Sequence, residues 1–129
     1  MANSCATIAV VDDDAGVRTA LQELLRSAGF NAIAFESAEE FLSSTRESDI
    51  QCLIADINLP GMSGVALARM LAERGGAPRI VLITGRDDQH TLELIGRAGT
   101  VPLLRKPFSD EALFAAIERT NSRDVRMDA

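Results

Sequence analysis

Tryptophan and tyrosine are missing altogether, so the chain has no broad aromatic platform for stacking bases or a flavin ring. Long apolar runs are missing too, and nothing approaches the ~18 consecutive residues of a membrane span. The opening Met1-Ala2-Asn3-Ser4-Cys5 lacks a basic segment followed by an apolar one, so no secretory leader is expected and the expected location is cytoplasmic. There are only two cysteines, Cys5 and Cys52, with no CxxC between them. That excludes a disulfide framework or a thiolate metal site and leaves small core residues in a reducing compartment. Positive charge is scarce: 13 basic against 19 acidic residues give a net charge of −6, which disfavours direct nucleic-acid binding. The single histidine, His90, falls in the first turn of a predicted helix and is expected to be exposed, with no phosphoryl-carrying role.

What is present is one domain's worth of alternating pattern, with 47% apolar residues in 129. Residues 7–11 form a short apolar run, a first strand. Over 15–28, Val17, Ala20, Leu21, Leu24, Leu25 and Ala28 recur at helical spacing, and Gly29 supplies the stop. A weaker strand covers 30–35. Ser37-Ala38-Glu39-Glu40 then has the form of a capping box, opening a short helix that buries Phe41 and Leu42. Residues 51–55 read as a buried parallel strand, ended at Asp56 and by the Pro60-Gly61 turn. A helix with Leu67, Met70 and Leu71 inward closes at Gly75-Gly76-Ala77-Pro78. Strand 80–83 stops at Thr84-Gly85. A helix from about 88 to 98 carries Thr91, Leu94, Ile95 and Ala98 on one face, with Gly99 after it. A fifth strand, 101–104, contains Pro102 and so suits an edge. Ser109 caps the last helix, with Asp110 and Glu111 in its first turn and Leu113, Ala116 and Ile117 inward. Phe114 lies at the edge of that face and is assigned to the core. Residues 121–129 have no apolar period and are expected to be a solvated tail.

Strands alternating with helices at this spacing predict an α/β fold, a doubly wound five-stranded parallel sheet. A (βα)5 chain of this size suits the flavodoxin-like strand order 2-1-3-4-5. All strand ends of one polarity then lie along one edge. Asp12, Asp13 and Asp14 follow the first strand, Asp56 the third, Thr84 the fourth and Lys106 the fifth. Clustered carboxylates repel, and a hard divalent cation such as Mg²⁺ with oxygen ligands relieves that repulsion while leaving room for a phosphoryl group. One carboxylate can then act as a nucleophile toward phosphorus, with the lysine binding the same phosphoryl oxygens and a hydroxyl engaging the product. Taken alone, Asp14 reads as the N-cap of the first helix.

Val10-Val11-Asp12-Asp13-Asp14, Asp56 with Pro60-Gly61 and Gly64, Thr84-Gly85 and Lys106-Pro107-Phe108 occur in this order at predicted strand ends. In this the chain resembles the receiver domain of two-component response regulators over about residues 6–120. The resemblance implies a receiver domain over 1–120, with 121–129 as its tail. It implies a Mg²⁺-dependent phospho-acceptor rather than an enzyme with a separate substrate, one that promotes its own phosphoryl transfer and hydrolysis of the aspartyl phosphate. Asp56 matches the acceptor, and Asp12 and Asp13 the acidic pair, Asp13 as direct metal ligand and Asp12 through water. Asn58 matches the residue that offers its backbone carbonyl to the metal. Thr84 matches the switch hydroxyl and Lys106 the phosphoryl-binding lysine. A cis peptide is expected at Lys106-Pro107.

The resemblance further implies a sensor histidine kinase as partner. It also implies that any homodimer forms through the fourth helix, fifth strand and fifth helix. Leu103 departs from the pattern, because receivers usually carry Tyr or Phe three residues before the lysine. Phosphoryl acceptance is expected to survive this, whereas the route from site to output surface is put in question. Arg86 either gates the cleft or is an ordinary loop residue. Two rival readings stay open. In a phosphatase of the haloacid-dehalogenase type, Asp12-x-Asp14 would be the reactive pair, although Gly16 stands where Thr or Val is expected. In a binding module the acceptor site would be dead. Nothing after Thr120 has the pattern of a helix-turn-helix, so the expected alternatives are a receiver acting through protein contacts or one cut from a longer regulator.

Overall fold

The computed structural model describes residues 6–44, 49–75, 78–98 and 101–128, with side chains described as far as Arg119. In chain order the elements are β1 (Thr7–Val11), α1 (Ala15–Ser27), β2 (Asn31–Phe35), α2 (Ala38–Ser43), β3 (Cys52–Asp56), α3 (Gly64–Glu73), β4 (Arg79–Thr84), α4 (Gln89–Ala98), β5 (Leu103–Arg105) and α5 (Asp110–Asp128). The strands form one parallel sheet in the order β2-β1-β3-β4-β5, as the alternation predicts.

The central strands are apolar between their ends because both faces are covered, and the two-residue period sorts their side chains between two cores. Ala9, Val11, Leu53, Ala55 and Leu82 pack with Phe41 of α2, Leu67 and Leu71 of α3, and the partly buried Leu94 and Ile95 of α4. Ile8, Val10, Cys52, Ile54, Val81 and Ile83 pack with Leu21 and Leu25 of α1 and Leu113, Ala116 and Ile117 of α5. Each fully buried Leu or Ile contributes about 1.5–3 kcal/mol relative to exposure, so this two-sided burial dominates the sheet's stability. Phe114 packs against the second core and stacks on Phe30 with ring centroids 6.5 Å apart. Cys52 is a buried core residue, while Cys5 lies outside the described residues.

Helix starts follow the cap chemistry. Asp14, Ser37, Ser63 and Ser109 accept first-turn N–H groups of α1, α2, α3 and α5. The box at Ser37 is shifted by one residue: Glu40 Oε1 accepts from the N–H of Glu36 at 2.6 Å instead of from that of Ser37. Asp88 is the cap of α4, accepting from Thr91 N at 2.8 Å.

Two boundaries depart from expectation. Pro102 has no N–H to place in a ladder, so β5 begins one residue later, while the Pro102 carbonyl still accepts from Leu82 N at 2.9 Å. The backbone of α5 stays helical to Asp128 where a tail was expected from 121, since no glycine or proline after Pro107 interrupts it. The expected stops at Gly76-Ala77 and Gly99 lie outside the described residues.

Strand register explains why the polar residues converge. Val11 pairs with Ala55, so Asp12 continues beside Asp56. Asp56 pairs with Ile83, and Thr84 with Arg105. Just beyond these pairs, Ile57 N donates to Ile83 O at 2.8 Å and Lys106 N to Thr84 O at 2.7 Å. The peptide Lys106-Pro107 is cis, as expected.

Candidate functional site

Asp12, Asp13, Asp56, Asn58 and Lys106 all line one open cleft of about 260 Å³ at the carboxyl edge of the sheet, with Gly85 and Arg86 on its β4 side. Lys106 Nζ sits between two carboxylates, 3.2 Å from Asp12 Oδ2 and 3.1 Å from Asp56 Oδ2. The second oxygen of each carboxylate accepts a backbone N–H two residues ahead: Asp14 N on Asp12 Oδ1 and Asn58 N on Asp56 Oδ1, both at 2.9 Å. These local N–H contacts tie one oxygen of each carboxylate to its own strand end, leaving the other to Lys106.

Burial of Asp12, which is fully enclosed, pushes its carboxyl pKa above the ordinary value. The Asp14 N–H opposes that shift, the Asp56 charge adds to it, and Lys106 opposes it. For Lys106, burial acts to lower the pKa, but the attraction of Asp56 and Asp12 outweighs it and the ammonium is held more tightly than usual. Asp13 is exposed, so the cluster has a solvent-facing entrance. Asp12, Asp13 and Asp56 each offer an oxygen, all within 4.8 Å of one another. A donor set made only of hard oxygens, open on one side, fits a small divalent cation.

Thr84 and Leu103 are not part of the cleft wall. Thr84 is fully buried, and its Oγ1 lies 3.1 Å from Asn58 Oδ1 and 3.3 Å from the Arg86 carbonyl while accepting from Arg86 N at 3.1 Å. Leu103 is half-buried on the edge strand and packs toward the α2–α4 core. His90 is exposed. Asp14 caps α1 through Gly16 N and Val17 N at 2.8 and 3.1 Å, so half of the Asp-x-Asp pair behind the phosphatase alternative is engaged as a helix cap.

Residues 8–118 match the response regulator receiver domain family. This chain belongs to that family. The receiver is 37% identical over 123 residues to Nodulation protein W of Bradyrhizobium diazoefficiens, covering 95% of this chain and 54% of that protein. It is 38% identical over 112 residues to the transcriptional regulatory protein FixJ of the same organism, covering 86% of this chain and 54% of FixJ. Among solved structures, FixJ-N superposes with a TM-score of 0.74 at 35% identity, covering 88% of this chain and 91% of that one. The response regulator StyR gives 0.75 at 37% identity, covering 96% of this chain and 65% of that one. The chain spans about half the length of the curated relatives it matches. It is thus a signalling domain of two-component systems, and among the described residues no helix is long and apolar enough to cross a membrane.

Three side chains that support the receiver's cleft carry no signal in the sequence pattern. Arg18 Nη1 donates to the Asp12 carbonyl at 2.7 Å, bracing the acidic loop from α1. Glu39 of α2 accepts from Met62 N at 2.8 Å and so holds the turn after Asp56. The Asn58 side chain reaches across to α4, donating from Nδ2 to Thr91 Oγ1 at 2.9 Å. Arg18 lies one helical turn past the cap, where an arginine can reach back, but spacing alone does not say what it meets. Arg86, left open by the sequence, lines the cleft and pairs with Asp88 at 2.7 Å.

Proposed function

We propose that Asp56 accepts a phosphoryl group from a phosphohistidine on a sensor histidine kinase in a Mg²⁺-dependent reaction. The observation that supports this best is the single ammonium of Lys106 between the carboxylates of Asp12 and Asp56, at the mouth of a cleft with three carboxylates. Asp12, Asp13, Asp56 and the Asn58 carbonyl would hold the ion. When bound, it offsets the negative charge gathered by the carboxylates and the incoming phosphoryl oxygens.

The residues do the rest. An Asp56 oxygen forms the new P–O bond as the P–N bond to the imidazole breaks, the leaving nitrogen keeping the electron pair. Asp56 is held by the Asn58 N–H and Lys106, so its carboxylate needs little reorganisation before attack. Lys106 then follows the charge onto the phosphoryl oxygens, and Thr84 turns its hydroxyl toward the product. Water reaching the open cleft returns the group as inorganic phosphate, so the domain also promotes its own reset. The receiver module spans 1–120, it works in the cytoplasm, and any homodimer forms through α4-β5-α5. Mixing with the mimic beryllofluoride and measuring sedimentation tests the dimer: an unchanged monomer counts against it.

The central test uses acetyl phosphate and intact-mass measurement. Wild type with Mg²⁺ should gain one phosphoryl group that is labile to base. Asp56→Asn should gain none, and chelating Mg²⁺ should abolish the gain in wild type. Labelling that persists in Asp56→Asn removes Asp56 as acceptor, and labelling at Asp12 instead restores the phosphatase alternative.

A further inference from the structure

Asn58 is implied at the site only through its backbone carbonyl, yet its side chain closes a ring of hydrogen bonds with α4. Thr84 Oγ1 faces Asn58 Oδ1 at 3.1 Å, and Asn58 Nδ2 donates to Thr91 Oγ1 at 2.9 Å. Thr91 N donates to Asp88 Oδ1 at 2.8 Å, and Arg86 grips the same carboxylate through Nε and Nη2 at 2.9 and 2.7 Å. Arg86 N returns to Thr84 Oγ1 at 3.1 Å.

Asn58 Nδ2 donates to Thr91 Oγ1, so the amide oxygen is the atom that faces Thr84, and Thr84 Oγ1 donates to it. Thr84 and Thr91 are both fully buried, so neither can exchange a lost partner for water.

Building on the acceptor reading above, we propose that Thr91 is a positioning residue through which α4 senses the phosphoryl group, by way of the Asn58 amide. Thr84 has one proton to give. Once it is given to a phosphoryl oxygen, Asn58 Oδ1 loses its donor, the amide is freed to turn, and the buried Thr91 hydroxyl loses its tie to the β3–α3 loop. The first turn of α4, whose only fully buried residue is Thr91, then repacks. Leu103 carries no polar atom and no ring, so this polar path stands where the aromatic residue of other receivers is missing.

Two measurements test the relay on the full chain with Mg²⁺ and beryllofluoride as the probe. In wild type, the Asn58 side-chain N–H groups should be protected without the mimic and exchange about fivefold faster with it, the factor that a hydrogen bond of about 1 kcal/mol implies. No change in that exchange overturns the relay without any variant. In the second, the amide resonances of Leu92 to Ile95 are followed in Thr91→Val, Thr91→Ser and Leu103→Ala. Thr91→Val should take up acetyl phosphate as wild type does yet lose most of the α4 shift. Thr91→Ser should restore it, and Leu103→Ala should keep it. A full α4 response in Thr91→Val, or its loss in Leu103→Ala, overturns the relay while leaving Asp56 as acceptor. Absence of phosphoryl uptake by wild type overturns the acceptor reading and the relay with it.

Discussion

Gly64 opens α3 directly behind Asp56, and replacing it by alanine should damage both stability and the phosphoryl acceptance proposed for that residue. A Cβ built there would collide with the Asp56 carbonyl oxygen and lie 3.0 Å from its carbonyl carbon and 3.1 Å from Ile57 Cα. All three are backbone atoms, so no side chain can swing aside. Relief requires the first turn of α3 to back away by about 1 Å from a strand end buried on every side, given an ordinary C···O approach near 3.5 Å. That movement would stretch the bond from Gly64 N to Ile57 O, now 3.1 Å. Overpacking of this kind costs about 1–3 kcal/mol, and a strained backbone contact places Gly64→Ala in the upper half of that range. Because the obstructing atom belongs to Asp56 itself, the carboxylate should also be displaced from Lys106. Urea unfolding measures the first effect through the shift in midpoint at constant slope, and the initial rate of acetyl phosphate uptake measures the second. A variant within about 0.5 kcal/mol of wild type that takes up phosphate at an unchanged rate would refute the idea that this close approach positions Asp56.

Two further predictions concern the cleft and the start of α4. Lys106→Met leaves the carboxylates of Asp12 and Asp56 facing one another with their shared cation gone. It should cost about 2 kcal/mol in Mg²⁺-free urea unfolding at pH 7. The gap to wild type should narrow as the pH falls and Asp12, whose pKa burial already raises, takes up a proton, and should also shrink on adding Mg²⁺, which binds only the folded cluster; a gap independent of both would be contrary evidence. Asp88 is held down to about 2 from its ordinary 3.8 by the Thr91 N–H first, then by the Thr91 side chain and Arg86. Its folded pKa lies below its unfolded one, so its support for the start of α4 is complete above about 4 and is lost as the pH falls through about 2. Amide exchange of Thr91, compared between wild type and Asp88→Asn, should therefore differ at pH 5 and converge toward pH 2.

The sheet and the converging strand ends were legible because both follow from periodicity. Apolar runs of five residues separated by helical patterns admit few windings, and once strands 1, 3, 4 and 5 are parallel neighbours their terminal residues must share an edge. Asp12, Asp56 and Lys106 needed no knowledge of side-chain packing to be brought together. Thr84 shows where that reasoning stops. Its position at the end of β4 was clear, but its hydroxyl is buried behind Asn58 and does not itself line the cleft, which only the packing of α4 decides. Likewise the Asn58 side chain, Glu39 and Arg18 act across gaps between elements, where sequence spacing is silent. The limits of α5 were misjudged for the opposite reason: an apolar period reports what a helix packs against, not whether the backbone stays helical.

The contrast between Lys106 and Thr84 also separates two functions of the site. Groups fixed by strand register, with both carboxylates tied by N–H groups two residues away, are insensitive to how the helices sit, and they are the groups to which the proposed function assigns phosphoryl acceptance. Groups placed by helix packing are sensitive to it by construction. Thr84 belongs to both sets: its backbone is held in the sheet through Lys106 N at 2.7 Å, while its hydroxyl depends on Asn58 and, through it, on α4. On the reading proposed above, a substitution in α4 can therefore change what the domain reports without changing whether it accepts a phosphoryl group, and a substitution of Asp12, Asp56 or Lys106 cannot.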